Sequence, residues 1–420
     1  MHSQPLWTRD FVIITIGTAI STLGNAIAGF AISLLVLDHT GSTLLYALFM
    51  ACYYLPKVVT PLVVGPYLDR MSRKKVIYRL DFLSSFLYLL VFLLIGSGYF
   101  NYWVLLAGVL IIGSIDGTYT VAYDSFYPNL VAPGNFARAY SIASLLYPLA
   151  TFMLPVASIV YNVTGTVAPL FGFNAVTFFT AACFERSIRY QETHMHQAEK
   201  NSVLHGLARF RADFKEGMGY IKSEPGLLVV TAYFFVTMMT GQGNDALMLP
   251  FFRNHPHLFT DVPVDVVTLY SIVTVCGVAG RLVGGLIHYR FVYPTEKKFA
   301  IALFVYTAIT VLHAGQLFLP VPFMMVSFFI VGLLSVTSYN IRISATQAYV
   351  PDSVRARFNG TFQMMCNLGQ IFGQVAAGIL SEFASERAII IGLMALNMAA
   401  IYAIVWPGRS YVKQVYNRKV

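Results

Sequence analysis

The chain has 420 residues, 57% of them hydrophobic and only 11% charged, with a mean hydropathy of +0.65. A soluble globular domain does not reach that balance, so the bilayer is the expected solvent. The formal charge of +9 and isoelectric point near 9.2 come from short basic clusters between apolar runs, which argues against a nucleic-acid face and fits membrane orientation.

The opening segment, MHSQPLWTRDF, lacks the short apolar core and small-residue cleavage site of a secretion signal, so the first apolar run is expected to be a retained span. Crossing about 30 Å of hydrocarbon takes roughly 20 apolar residues. Runs of that size occur at 11–37, 43–68, 76–98, 102–131, 137–162, 165–184, 226–250, 266–289, 299–318, 322–349, 357–380 and 387–406. Unpaired backbone groups are not tolerated in lipid, so these are expected to be twelve transmembrane helices, mostly joined as tight hairpins. The expected fold is an all-α membrane protein.

Ionisable residues within spans are costly and therefore candidates for function. Asn25 lies mid-way along the first span, beside Gly24. Lys57 and Asp116 fall near mid-membrane in the second and fourth spans. They can face each other as a structural pair, or Asp116 can serve as a proton carrier. Asp81 lies in the inner half of its span, whereas Arg79 and Glu185 sit close enough to the interface to snorkel. Tyr119, Tyr123 and Tyr147 are candidates for the wall of a pocket. Between the second and third spans, GPYLDRMSRKK concentrates Asp69, Arg70, Arg73, Lys74 and Lys75 after Gly65 and Pro66. The basic run anchors the loop at the cytoplasmic face and its anionic lipids. Asp69, at a helix end, can face the positive N-terminus of a neighbouring helix.

The one long connection divides the chain into an N-terminal six-helix bundle (1–185), a linker (186–225) and a C-terminal six-helix bundle (226–420). Within the linker Val203, Leu207, Phe210, Phe214, Met218 and Ile221 recur at helical spacing. This predicts an amphipathic helix on the inner membrane surface, with a solvated linker as the alternative. In the second bundle Asp245 lies toward the outer end of the seventh span, in GQGNDALMLP, where Gln242 and Asn244 suggest a wet or broken helix. Arg281, flanked by glycines, reads as a packing or gate residue. Arg342, among Tyr339, Asn340, Ser344 and Gln347, reads as cavity-lining or as a tie to another helix. It needs a partner, water or an anionic substrate. The eleventh span carries Gln363, Asn367, Gln370 and Gln374 on one helical face, with Gly369, Gly373 and Gly378 as small packing surfaces. The amides either bond between helices or line an aqueous path.

Cys52, Cys183, Cys276 and Cys366 all lie in apolar runs without paired spacing and are read as buried small hydrophobes. No His, Cys, Asp or Glu grouping has metal-ligand spacing, so neither metal nor cofactor is expected. With the N-terminus inside, nearly every basic loop residue falls on one side, placing both termini in the cytoplasm. No Walker A sequence, nucleotide fingerprint or nucleophile elbow occurs, so neither an ATP-driven pump nor an enzyme is expected.

Two sets of six spans around a linker resemble the major facilitator superfamily, and the loop after the second span carries the sharpest likeness. The family's Gly-x-x-x-Asp-Arg-x-Gly-Arg-Lys pattern is matched by Gly65, Asp69, Arg70, Ser72, Arg73 and Lys74, with Ser72 in place of the second glycine. A worn copy, GGLIHYRFVYPTEKK, follows the eighth span. The resemblance implies two pseudo-symmetric bundles that alternate access to a midplane site. It further implies a gate in which Asp69 contacts the start of the eleventh helix and Arg73 pairs with Asp124. Diffuse features (YPNLVAPGNFARAYSI, ARFRADFKEGMGYIKSEPGL, YVPDSVRARFNG) are similar to the macrolide-efflux branch. The glycine-rich drug-antiporter signature of the fifth helix is missing.

The resulting expectation is a monomeric secondary transporter in the cell (inner) membrane. It exports an amphipathic small molecule or drug in exchange for protons, with Asp116 and Asp245 as coupling acids. The substrate side is expected to involve Asn25, Lys57, Asp116, Arg342, Gln363, Asn367 and Gln370. Alternatives are a carrier of an anionic metabolite or siderophore in either direction, a lysophospholipid flippase, or a receptor-like sensor.

Overall fold

The computed structural model describes residues 6–68, 71–131, 136–192, 207–290 and 294–417, with the backbone alone at some of them. Among these there is no strand; the apolar runs are helices. The first seven are α1 (Arg9–Thr40), α2 (Thr43–Leu68), α3 (Arg73–Gly96), α4 (Tyr102–Phe126), α5 (Phe136–Thr151), α6 (Leu154–Thr164) and α7 (Ala168–Arg186). They are followed by α8 (Leu207–Ser223), α9 (Pro225–Asn254), α10 (Val266–Arg290), α11 (Lys298–Gly315) and α12 (Val321–Tyr349). The last are α13 (Asp352–Leu380), α14 (Glu386–Ala400), continued by a π turn at Ile401–Val405, and α15 (Arg409–Tyr416). The ends have local causes. Thr8 caps α1 by accepting from the Phe11 amide, and Gly41 ends it with φ 61°, a conformation open to a residue without Cβ.

The fifth run is two helices rather than one. Pro155 has no N–H to donate, and its ring opposes the carbonyl four residues earlier; α5 stops at that residue, Thr151, and Pro155 sits in the first turn of α6. Nine helices among the described residues are long and apolar enough to cross a membrane. The other runs fall short because of this break, the polar stripe of α13 and the polar residues of α7, Asn174 and Glu185 among them. Phe86, Trp103, Val163, Phe304 and Phe383 stand outward and exposed, as side chains solvated by lipid do.

Contacts group the chain into two units: Met1–Gly41 with Cys52–Arg209, and Ser42–Ala51 with Phe210–Val420. In the first, α7 packs on both α1 and α3. A Cβ at Gly24 would overlap the Asn174 and Thr177 side chains, so the small residue sets the α1–α7 approach. In the second, α9 packs on α13 and α10 on α12. A Cβ at Gly373 would overlap the Met239 carbonyl, one at Gly280 the Phe329 carbonyl, and one at Gly332 the Gly277 carbonyl, so these backbones touch directly.

The described half of the linker helix turns apolar residues to protein. Ile221 of α8 is fully buried in a core with Leu227, Phe234, Phe358 and Val412. Gly217 lies against the Arg357 carbonyl and Thr361 of α13, and Glu216 pairs with Arg357. The second half of α8 is thus held by protein; Val203 lies outside the described residues. Cys183 is exposed rather than buried, while Cys366 is buried.

Candidate functional site

In the first unit α2 and α4 bring Lys57 and Asp116 together. Lys57 Nζ lies 3.0 Å from Asp116 Oδ2, and Tyr53, one turn before Lys57, joins them. The Tyr53 hydroxyl donates to the same carboxylate oxygen at 2.7 Å and accepts from Lys57 Nζ at 2.9 Å. Lys57 Nζ also sits 4.0 Å from the Tyr53 ring centre. The helices approach closely enough because Gly113 and Gly117 of α4 face the α2 backbone at Tyr53 and Lys57.

Asp116 borders a cavity of about 60 Å³ whose wall includes Asn25, Thr18 and Ser21 of α1, Asp81 of α3, and Tyr119 of α4. Asn25, Asp116 and Tyr119 are therefore neighbours around one polar space. Tyr147 has no described side chain, and the Tyr123 hydroxyl is buried without a partner.

Behind the cavity lies a feature that the sequence reading passed over. Glu185 does not snorkel: it is 0% exposed, accepts from the Tyr119 hydroxyl at 3.1 Å, and lies within hydrogen-bonding reach of Asp81, itself 1% exposed. Gly17 of α1 makes room for it, since a Cβ there would sit 3.2 Å from Glu185 Cγ. Its position one residue from the end of α7 suggested an interface, whereas the α1 and α3 backbones close over it.

The motif loop is described from Met71 onward; Asp69 and Arg70 lie outside the described residues, and at Gly65 only the helical backbone is given. Arg73 reaches the end of α4, donating from Nη1 to the Ser125 carbonyl at 3.0 Å, one residue beyond Asp124, which is exposed. The start of α3 is held by Glu192. Its carboxylate accepts from the Arg73 amide at 2.9 Å and from the Ser72 hydroxyl, while Lys74 donates to the Ile188 carbonyl. A carboxylate on free amides at a helix N-terminus is favourably placed.

In the second unit Arg342 of α12 sits among aromatic rings. Its guanidinium carbon is 4.7 Å from the Phe362 ring of α13, 5.0 Å from Phe234 of α9 and 5.3 Å from Tyr339. Its Nε is buried without a partner, and among the described residues no carboxylate pairs with it. Gln363 donates to Asn367 at 2.8 Å, Gln370 approaches the Met238 sulfur at 3.7 Å, and Gln374 is buried. Part of the amide stripe is thus spent within the protein.

Asp245 is exposed on an α9 that runs unbroken through this stretch, so the expected break is absent. Its neighbour Asn244 joins a buried neutral network: Gln316 donates to Asn244 at 3.3 Å, and His313 lies 3.1 Å from Gln316. Arg281 is exposed, its backbone lying in the Gly332 seam. Among the described residues no group of three or more His, Cys, Asp or Glu is placed to hold a metal ion.

Comparison with known proteins gives these arrangements a context. The family model of the Major Facilitator Superfamily matches residues 14–373. The uncharacterized MFS-type transporter YkuC of Bacillus subtilis is 24% identical over 287 residues, which cover 66% of this chain and 65% of that protein. The chain therefore spans just under two thirds of the length of that relative. Macrolide efflux protein A of Streptococcus pyogenes is 24% identical over 293 residues, 68% of each chain. Among solved structures the nucleoside transporter NupG superposes with a TM-score of 0.70 at 14% identity, covering 95% of this chain and 99% of that one. The peptide transporter POT, in complex with sulfate, gives 0.69 at 11% identity, covering 99% and 97%. At these identities the structural likeness speaks for the fold.

Proposed function

The chain belongs to the Major Facilitator Superfamily, and from that premise we propose that it is a multi-pass secondary active transporter exporting an amphipathic organic compound in exchange for protons. The observation that carries this reading is the Lys57–Tyr53–Asp116 cluster on a polar cavity inside a unit otherwise solvated by lipid. Charges so placed are costly unless used, and nothing beside them suggests a nucleophile or a metal. The likeness to a macrolide efflux protein favours export and an amphiphilic cargo.

On this proposal Lys57, Asp116 and Asn25 meet the substrate in the first unit, and Arg342, Gln363, Asn367 and Gln370 in the second. Asp116 and Asp245 exchange protons. The loop from Gly65 through Asp69, Arg70 and Arg73 to Asp124 gates the cytoplasmic side. The protein works by alternating access as a monomer in the cell membrane, both termini inside. Residues 1–185 and 226–420 act as its two halves, and 186–225 as the linker.

A second reading is favoured by Arg342. A permanent cation held by ring faces, with no carboxylate against it among the described residues, suits an anionic substrate group.

Cells producing the protein are tested with a lipophilic cationic dye and an amphipathic anionic dye, each with and without a protonophore. Energised export lowers accumulation of one dye, and the protonophore restores it. No effect on either dye ends the efflux reading.

A further inference from the structure

We propose that Asp81 and Glu185 form a two-carboxyl site that holds one exchangeable proton, and that the transport cycle requires this proton in addition to those exchanged at Asp116 and Asp245. The proposal rests on the transporter reading above and supplies it with a site distinct from Asp116 and Asp245.

The geometry comes first. Asp81 projects from α3 and Glu185 from α7, helices that pack on each other, and their carboxyl groups lie within hydrogen-bonding reach of each other at 1% and 0% exposure. Two ionised carboxylates in contact and out of water repel each other and forfeit their hydration, so one proton between them is the stable arrangement. Asp81 Oδ2 and Glu185 Oε2 are buried without a partner, and a proton on either carboxyl supplies a missing donor. The Tyr119 hydroxyl, donating to Glu185 Oε1 at 3.1 Å, steadies the negative charge that remains.

The surrounding groups offer no neutralising cation. From α4 come Tyr119, Tyr123 and Asp116, the last already joined to Lys57 and Tyr53 of α2. From α1 come Thr15 and Thr18, hydroxyls rather than charges. The nearest α1 charges lie at its start and are turned to the chain beyond Glu185: Arg9 donates to the Ser187 carbonyl at 3.4 Å and Asp10 accepts from the Arg189 amide at 3.1 Å. Arg186, next along α7, and Arg79, two residues before Asp81 on α3, are both exposed. Among the described residues, therefore, only a proton balances this pair. Asp116 differs from this pair, because Lys57 at 3.0 Å already compensates it.

A route exists as well as a site. Asp81 and Asp116 line the same cavity, whose volume of about 60 Å³ has room for a few water molecules at roughly 15 Å³ each. The step is a proton transfer and nothing more. The O–H bond of the protonated carboxyl breaks, its electron pair stays on the carboxylate oxygen, and the proton passes to water in the cavity; reprotonation reverses this. A substrate that engages Asp116 or Lys57 thereby changes the field at Asp81 across a single cavity, which is what coupling requires.

The test uses full-length protein reconstituted in phosphatidylcholine–phosphatidylglycerol vesicles. Infrared difference spectra are recorded through a pH titration for the wild type, Asp81→Asn, Glu185→Gln and the double variant. The wild type is expected to give a carboxylic-acid C=O band whose titration each single variant shifts and the double variant removes. A band that persists in the double variant, or no such band in the wild type, overturns the site. If Glu185→Gln fails to fold, Tyr119→Phe keeps both acids and must still shift the band.

Transport supplies the second readout, with tetraphenylphosphonium and an amphipathic anionic dye as probes. Both single variants are expected to lose proton-gradient-driven movement of the transported probe while retaining probe-for-probe exchange. Retained proton drive in both variants overturns the proposal, as does a wild type driven by sodium instead. If the wild type moves neither probe, the efflux reading fails, and the infrared result alone decides the carboxyl pair.

Discussion

The two units solve the same physical problem, charge inside a lipid-solvated bundle, in different ways. The first keeps carboxylates: Asp116 against Lys57 and Tyr53, and Asp81 against Glu185 and Tyr119. The second frames Arg342 in aromatic rings, buries Lys298 and Glu386 at the starts of α11 and α14, and places neutral groups such as Asn244, Gln316, Gln374 and Asn397 along its helices. Carboxylates can change charge with protonation, whereas a guanidinium and an amide cannot. The contrast sets buried, mutually close carboxyls in the first unit against a ring-framed guanidinium in the second.

The largest expected effect concerns the backbone packing of the second unit. Gly373→Leu should cost about 3 kcal/mol or more, because its side chain meets the Met239 backbone rather than a flexible neighbour. Gly241→Leu on α9, where a Cβ meets nothing within 4 Å, should be close to neutral. Thermal unfolding in detergent compares them; equal losses would mean that the α9–α13 seam is not close-packed.

Next is the ion pair of the first unit. Lys57→Met should cost about 2 kcal/mol, below the value for a fully buried pair because Lys57 and Asp116 side chains keep 32% and 16% exposure. Adding Asp116→Leu should return part of that loss, since no unpaired charge is then left. A double variant worse than the single would show that Asp116 is held by Tyr53 alone.

Transport variants sharpen the contrast directly. On the export-of-cations reading, Asp245→Asn should abolish dye efflux and Arg342→Ala should be mild. The anion reading reverses the order, with Arg342→Ala costing about tenfold in transport, equivalent to about 1.4 kcal/mol. Dye accumulation in cells ranks the two.

The smallest effect compares helix caps. Ser385→Ala removes the acceptor of the Ala388 amide in α14 and should cost about 1 kcal/mol. Ser72→Ala removes the acceptor of the Lys75 amide and also the hydroxyl given to Glu192, so it should cost more. Unfolding midpoints of the two variants settle the order.

The helices were legible because hydropathy is a property of composition along the chain, and bilayer thickness converts it to length. The split of the fifth run was written in Pro155 but needed the rule about the carbonyl four residues back. Lys57 and Asp116 could be flagged because a charge mid-span is conspicuous on its own. Glu185 was not legible: near a helix end its depth depends on what packs over it, here Gly17 of α1 and Asp81 of α3, residues far away in the chain. The aromatic frame of Arg342 was half visible, through Tyr339 one turn earlier; Phe234 and Phe362 come from other helices. Tyr53 and Glu192 were missed because a tyrosine in an apolar run and an acid in a loop carry no signal until a partner is placed beside them.

The glycine seam between α13 and α9 also works as a keyway. Gly369 and Gly373 admit the α9 backbone at Phe235 and Met239 in a single rotational setting of α13. That setting aims Gln363 and Asn367, since each residue of an α-helix turns about 100°. One residue inserted between Asn367 and Gly369 would leave the seam engaged yet swing both amides to another side of the helix. One inserted beyond Gly373 would leave them where they are. Polar aim in this helix is thus fixed by residues that have no side chain to point.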